Sequence, residues 1–236
     1  MNGLARVSLV LMFSVATMLA ADGSAVEAVQ ASADAPLQTD PASAFWSAAH
    51  PAYLEKDIQG RHITRFRSEV RTRWTKKNLY ILFICPYDKL HLKPSPSTTE
   101  ETNELWKWDV AEVFISSNFS DINRYQEFEV SPQGEWIDLD IDNNNPHHEA
   151  GWTWNSGFEV SARIDAAKHL WYAAMRIPLS SIDKRIPASG NELRFNLFLS
   201  EGARSNHHAV TWQPPMSNTF HVPERFGLLR LVAEKH

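Results

Sequence analysis

The chain has 236 residues, 43% of them hydrophobic and 22% charged, with nine Trp and twelve Phe, which is enough for one domain with a substantial core. Its formal net charge of −5, taken to −6 if Arg6 is removed with a leader, and its lack of a basic tract exclude the electrostatic footprint of a nucleic-acid-binding protein. A single cysteine, Cys85, excludes an internal disulfide; inside an apolar run it reads as an inert buried thiol.

Met1 to Ala21 reads as a secretory signal, with Arg6 as the charged start, an apolar stretch from Val7 to Leu19, and small residues at Ala20, Ala21 and Ala25. The apolar stretch is short against the roughly 20 residues of a membrane span, and cleavage is expected between Ala20 and Ala28. No cysteine follows to carry a lipid anchor. Residues 22–44 are rich in Ala, Ser, Asp, Gln and Pro without apolar periodicity and read as a flexible linker. The domain is expected over residues 45–233, starting at Phe45-Trp46.

Strand-like runs then follow in quick succession. Val70 to Trp74 alternates, Thr75-Lys76-Lys77-Asn78 turns, and Leu79 to Cys85 reads as a central strand. Pro86 to Glu104 is a long loop with Pro94, Pro96 and a Ser/Thr run, of a length that is often functional. Leu105 to Ile115 opens with Trp106 and Trp108 and closes in a β-branched and aromatic strand. Alternation there groups Asp109, Ala111, Val113 and Ile115 on one face, and Val110, Glu112 and Phe114 on the other. A carboxylate between two apolar neighbours must be paired or face a cleft, because burying it alone is costly. An indole face near a fixed carboxylate suits a sugar ring, the ring covering C–H bonds and the carboxylate accepting from hydroxyls.

Tyr125–Val130 and Glu135–Ile141 flank a Pro132-Gln133-Gly134 turn. Asp138, Asp140 and Asp142, with Glu149 further on, have the spacing of a calcium loop, but Leu139 and Ile141 between them also read as a strand with a solvated acidic face. His147-His148 and His207-His208 read as loop histidines near a binding rim, with transition-metal ligation as the other reading. Phe158–Ile164, Leu170–Ile177, Leu193–Ser200, His208–Trp212 and Phe226–Val232 complete the set, with one helical turn at Leu179–Ile182. About ten short strands, one or two short helical turns and no long amphipathic helix predict an all-β antiparallel β-sandwich.

Four segments carry a more specific signal. They are Arg71-Thr72-Arg73-Trp74 with Asn78-Leu79-Tyr80-Ile81; Trp106 to Ile115; Met175-Arg176-Ile177-Pro178 with Leu193-Arg194-Phe195-Asn196; and Pro223-Glu224-Arg225-Phe226-Gly227-Leu228-Leu229. In this order, across Phe45 to Val232, they resemble the hairpin, the W-x-x-D-x-x-E-x-F core, the "aIP" and "fN" strands and the P-x-x-F-G-x-L ending of the family 9 carbohydrate-binding modules and their DOMON-like relatives. The resemblance implies a jelly-roll or immunoglobulin-like sandwich that is not an enzyme and holds a sugar between two aromatic rings beside a strand glutamate. Position by position, the first ring matches Trp106, the glutamate Glu112 and the second ring Phe220, where the family has tryptophan. A sugar-binding arginine of the family falls on Glu129, a departure from the pattern, and Trp108 and Asn218 are further lining candidates.

The same resemblance implies a structural calcium, for which Asp138, Asp140 and Asp142 are the candidate ligands. It also implies mono- or oligosaccharide and polysaccharide ends as ligands, with a separate glycoside hydrolase as a candidate partner, while the signal at residues 1–21 sets the expected location as secreted or periplasmic in a bacterium. Two other functions are weighed beside it. A glycoside hydrolase would use Glu112 with Glu129 or Asp138 as acid and base, at a separation of roughly 5–10 Å. A b-type haem module, as in some sandwich relatives, would draw on Met175 or Met216 with His207, His208 or His221.

Overall fold

The computed structural model describes residues 25–203 and 207–234, so the expected signal at 1–21 lies outside the described residues. Twelve strands form one hydrogen-bonded sheet. They are β1 (Ala25–Gln30), β2 (Pro51–Leu54), β3 (Ser68–Trp74), β4 (Asn78–Pro86), β5 (Val110–Ser116), β6 (Arg124–Val130), β7 (Trp136–Asp142), β8 (Glu159–Asp165), β9 (Leu170–Pro178), β10 (Glu192–Glu201), β11 (His208–Thr211) and β12 (Gly227–Val232). Helices α1 (Ala44–Ser47) and α2 (Leu179–Ile182) are single turns. The spatial order is β7-β6-β5-β10-β12-β1-β3-β4-β9-β8, with β11 beside β10 and β2 beside β3. No helix among the described residues is long and apolar enough to cross a membrane.

The two halves of this sheet face each other across the main core. Ala111, Val113 and Ile115 of β5 and Phe195, Leu197 and Leu199 of β10 come from one half. Ile81, Phe83 and Cys85 of β4 and Trp171, Ala173 and Met175 of β9 come from the other. The sandwich expected from the strand pattern is therefore present. Local signals set its turns: Thr75 Oγ1 accepts from the N–H groups of Lys77 and Asn78 at 3.2 and 3.0 Å, closing the β3–β4 hairpin. Gly134, at φ +88°, closes the β6–β7 turn, donating to Ser131 O at 3.1 Å in a left-handed conformation that side-chain-bearing residues rarely adopt.

The structure corrects the reading of residues 22–44 as a flexible linker over its described part, residues 25–44. Ala25–Gln30 is a strand, parallel to β12 on one side and to β3 on the other, so the sheet is mixed rather than wholly antiparallel. β1 supplies backbone partners to two strands that would otherwise end as open edges, and it joins the halves into one sheet. Its sequence, AVEAVQ, lacks clean alternation, which is why pattern reading passes over it. The following segment is pinned as well. Trp46 Nε1 donates to Gln38 O at 3.0 Å, Thr75 Oγ1 to Asp34 Oδ1 at 2.5 Å, and the Ala35 N–H to Tyr80 Oη at 3.2 Å. Leu37, Phe45 and Trp46 cover Tyr80 and Leu82 on the outer face of β4. β2 is the other strand missing from the sequence reading, a four-residue edge too short to show a period.

Arg73 ties this N-terminal region down. Only 4% exposed, it donates to three backbone carbonyls: Val29 at 3.0 Å, Gln30 at 2.8 Å and Phe45 at 2.8 Å. Removing it leaves buried acceptors without donors. Arg73→Met is expected to cost about 2–4 kcal/mol in chemical unfolding. Arg230→Met, at a half-exposed pair with Glu192, is expected to cost under about 1 kcal/mol. Equal losses at the two positions would contradict this account of the N-terminal segment.

Candidate functional site

The site grows from the outer face of the β7-β6-β5-β10 half. All seven residues of β5 are buried, because both faces of the strand are covered. While Ala111, Val113 and Ile115 enter the main core, Val110 and Phe114 join a second apolar cluster with Tyr125, Ile137, Leu139, Ile141 and Phe198. The cover comes from a 3-10 turn, Leu105–Lys107, that places Leu105 and Trp106 over the sheet, and from the stretch carrying Phe220 and Phe226. Phe220 stacks on Phe198 with centroids 4.3 Å apart and rings 4° from parallel. Tyr125 Oη and His221 Nδ1 lie 2.6 Å apart, which anchors the second cover to β6.

Three glutamates interrupt this apolar face. Strand register places Glu112 directly opposite Glu129, and Phe114 opposite Glu127. Alternation along β6 therefore turns Tyr125, Glu127 and Glu129 to the same side as Glu112. One carboxylate oxygen from each of the three lies within 4.8 Å of the others. Ser200 Oγ donates to Glu112 Oε1 at 3.0 Å. No donor is placed to complete a hydrogen bond to either oxygen of Glu129, although the Trp106 backbone N–H lies close enough to favour its ionised form and the Glu127 carboxyl close enough to favour its protonated one. Burial pushes all three carboxyls up: Glu127 to about 7, and Glu112 and Glu129 well above the usual carboxylate range, the Glu127 charge adding to both.

Glu112 and Glu127 form part of the wall of a cavity of about 740 Å³. Trp106, Phe220 and Asn218 line it as well, and Asp57, Arg61, His207, His208 and His221 are among its other lining residues. The structure thus brings Trp106, Glu112, Phe220 and Asn218 together around one space, with Glu129 against Glu112. Trp108 is not brought there; its ring stacks on His91 at 4.6 Å. Sequence reading passed over Glu127, Ser200 and Tyr125. The signal for Glu127 was present: Tyr125-x-Glu127-x-Glu129 has the period of a strand face, the same one that exposed Glu112.

Asp138, Asp140 and Asp142 lie on the opposite face of β7, where the register sets them across from Phe128, Gln126 and Arg124. Their carboxylates do not converge and each meets a protein donor: Ser156 N–H to Asp138 at 2.7 Å, Gln126 Nε2 to Asp140 at 3.0 Å, and Arg124 Nη2 to Asp142 at 2.7 Å. These three residues therefore do not fit one calcium ion. The sheet also separates Asp138 from Glu112, so they do not flank one cleft as an acid–base pair. Met175 lies in the main core, away from the histidines of the cavity, and Met216 is half exposed.

The carboxyl cluster has a consequence for stability. The three folded groups hold protons to higher pH than the unfolded glutamates, whose ordinary value is 4.5. Native stability therefore declines as pH rises from about 4.5 through about 7. Asp109, pushed up to about 6 mainly by burial, and Glu101, pushed up to about 7, act in the same direction. His207, lowered by burial, acts against them. The difference between wild type and Glu129→Gln isolates the cluster. The variant is expected to be more stable at pH 8 by about 1–3 kcal/mol, several degrees in Tm, with the gap closing toward pH 5. A gap independent of pH in thermal melts would contradict the burial of ionisable Glu129.

Comparison with known proteins places this geometry. The model of the carbohydrate family 9 binding domain-like family matches residues 40–234. An extracellular protein from Arthroderma benhamiae is 23% identical over 179 residues, covering 70% of this chain and 79% of the relative. Endo-1,4-beta-xylanase A from Thermotoga neapolitana is 18% identical over 190 residues, covering 80% of this chain but only 16% of the xylanase. Among solved structures, a family 9 carbohydrate-binding module from Caldicellulosiruptor kristjanssonii, in complex with cellotriose, superposes with a TM-score of 0.61 at 14% identity, over 89% of this chain and 95% of that one. A candidate carbohydrate-binding protein from Bacteroides uniformis superposes with a TM-score of 0.67 at 14% identity, over 88% and 99% of the two chains. At such identities the superpositions speak for the fold. The family match, over most of the chain, carries the assignment: this protein belongs to the carbohydrate family 9 binding domain-like family.

Proposed function

We propose that the protein binds the end of a mono- or oligosaccharide in the cavity between Trp106 and Phe220, without chemical turnover. The carrying observation is one cavity whose wall presents an indole, a second aromatic ring and the carboxyl of Glu112 together. In this reading Trp106 covers the apolar C–H face of the sugar, and Phe220, backed by Phe198, forms the facing wall. Glu112 accepts from neighbouring hydroxyls, and Asn218 adds an amide that both donates and accepts. The Caldicellulosiruptor module has been solved with glucose as well as cellotriose, which makes a glucose-type ring the first ligand to test. The secretory leader read at residues 1–21 and the extracellular relative support export, and the xylanase relative supports action alongside a glycoside hydrolase.

The energetics suit a modest binder. Hydrogen bonds to the Glu112 carboxyl contribute about 0.5–3 kcal/mol each and ring stacking about 1 kcal/mol. Lost motion and imperfect desolvation remove much of that sum, leaving an expected Kd between about 1 μM and 1 mM. Isothermal titration with glucose, cellotriose and a panel of other oligosaccharides tests the reading. Saturable binding is expected, weakened about tenfold or more in Trp106→Ala and in Glu112→Gln. Absence of heat with every sugar, from a folded protein, or binding indifferent to both substitutions, would remove this assignment of the cavity.

A further inference from the structure

We infer that Glu112, Glu127 and Glu129 form a binding site for one divalent, oxygen-preferring cation of the calcium or manganese class, at the wall of the cavity. Nothing in this inference requires a sugar: it concerns the ion by itself. The site differs from the one expected at Asp138, Asp140 and Asp142, whose side chains lie on the other face of β7 and are engaged by protein donors.

Three observations carry it. The first is convergence. Two oxygens each 2.3–2.6 Å from one calcium lie at most about 5 Å apart. One carboxylate oxygen from each glutamate falls within 4.8 Å of the others, and among the described residues no other group of three or more ligating side chains does so. The second is Glu129. It is fully buried, both of its oxygens lack a hydrogen-bond partner, and an oxygen of it points into this group of three. Buried polar atoms are nearly always satisfied, so a carboxyl with no completed hydrogen bond on either oxygen leaves room for a further partner. The third is chemistry and access. An all-carboxylate set selects hard cations over those preferring nitrogen or sulfur. Glu112 and Glu127 border the cavity, which provides a route from solvent and leaves coordination positions open to water or hydroxyls.

The backbone is built for such a site. β5 and β6 are adjacent antiparallel strands, so Glu112 and Glu129 are opposed by register and Glu127 follows two residues along. All three ligands thus sit on sheet rather than on mobile loops. Ser200, from β10, orients Glu112 through its hydroxyl.

The probe is terbium, a luminescent stand-in for calcium, added to the purified protein at pH 7.5 with excitation of tryptophan. Trp106 lies next to the site and serves as the sensitiser. A single saturable rise in terbium emission, displaced by calcium or manganese, is expected. Glu129→Gln and Glu127→Gln are each expected to weaken it about tenfold or more, whereas Asp140→Asn leaves it unchanged. Should Glu129→Gln not fold, Glu127→Gln carries the same test. Absence of saturable binding, or binding that survives both glutamine substitutions, overturns the proposal. Loss in Asp140→Asn overturns it too, since the ion then sits on β7. Repeating the sugar titrations with and without calcium separates the two readings. Ion binding without sugar binding leaves this site standing and removes the sugar assignment, and the reverse outcome removes the ion alone.

Discussion

β5 is buried on both of its faces, and the rest of the architecture follows from that. A strand with one wet face would alternate apolar and polar, as most antiparallel strands do. Here odd positions fill the main core and even positions fill a second cluster, so the outer face must itself be roofed. The Leu105–Lys107 turn and the stretch bearing Phe220 and Phe226 provide the roof. The cavity beside Trp106 lies under this roof, with Glu112 and Glu127 in its wall.

The opposite half of the molecule shows what happens without those acids. β4 is also buried on both faces, its outer side carrying Tyr80 and Leu82, and Trp46, Phe45 and Leu37 settle on them directly. The Tyr80 hydroxyl is met by the Ala35 N–H and by Asp34. The two roofs over one sheet differ in what they meet. One meets apolar side chains and a satisfied phenol; the other meets three carboxyls held together by strand register. Burying ionisable groups side by side opposes folding, which makes this face the candidate functional site.

Continuity between the halves depends on β1, which has no hairpin partner and lies parallel between β3 and β12. Parallel insertion from the start of the chain lets residues distant in sequence share one hydrogen-bonded surface. Arg73 then locks β1 and the segment after it through backbone carbonyls rather than through carboxylates alone. Such contacts are indifferent to side-chain identity in the partner segment, which explains how a stretch of Ala, Ser and Gln can be an integral part of the domain.

The strand pattern alone determined most of the fold. The ten strands from β3 to β12 lie within a residue or two of where hydrophobic alternation and turn residues put them, because those signals act over neighbouring positions. The face shared by Val110, Glu112 and Phe114, and the order of motifs pointing to the family, were legible for the same reason. Tertiary structure alone decided the role of residues 25–44, since AVEAVQ becomes a strand only when β3 and β12 offer it two edges. It also turned Trp108 toward His91 and dispersed Asp138, Asp140 and Asp142 among separate donors. Above all, it set Glu127 and Glu129 against Glu112. Period-two alternation states which side of its own strand a carboxylate occupies, but only the pairing register of β5 with β6 determines that three of them meet.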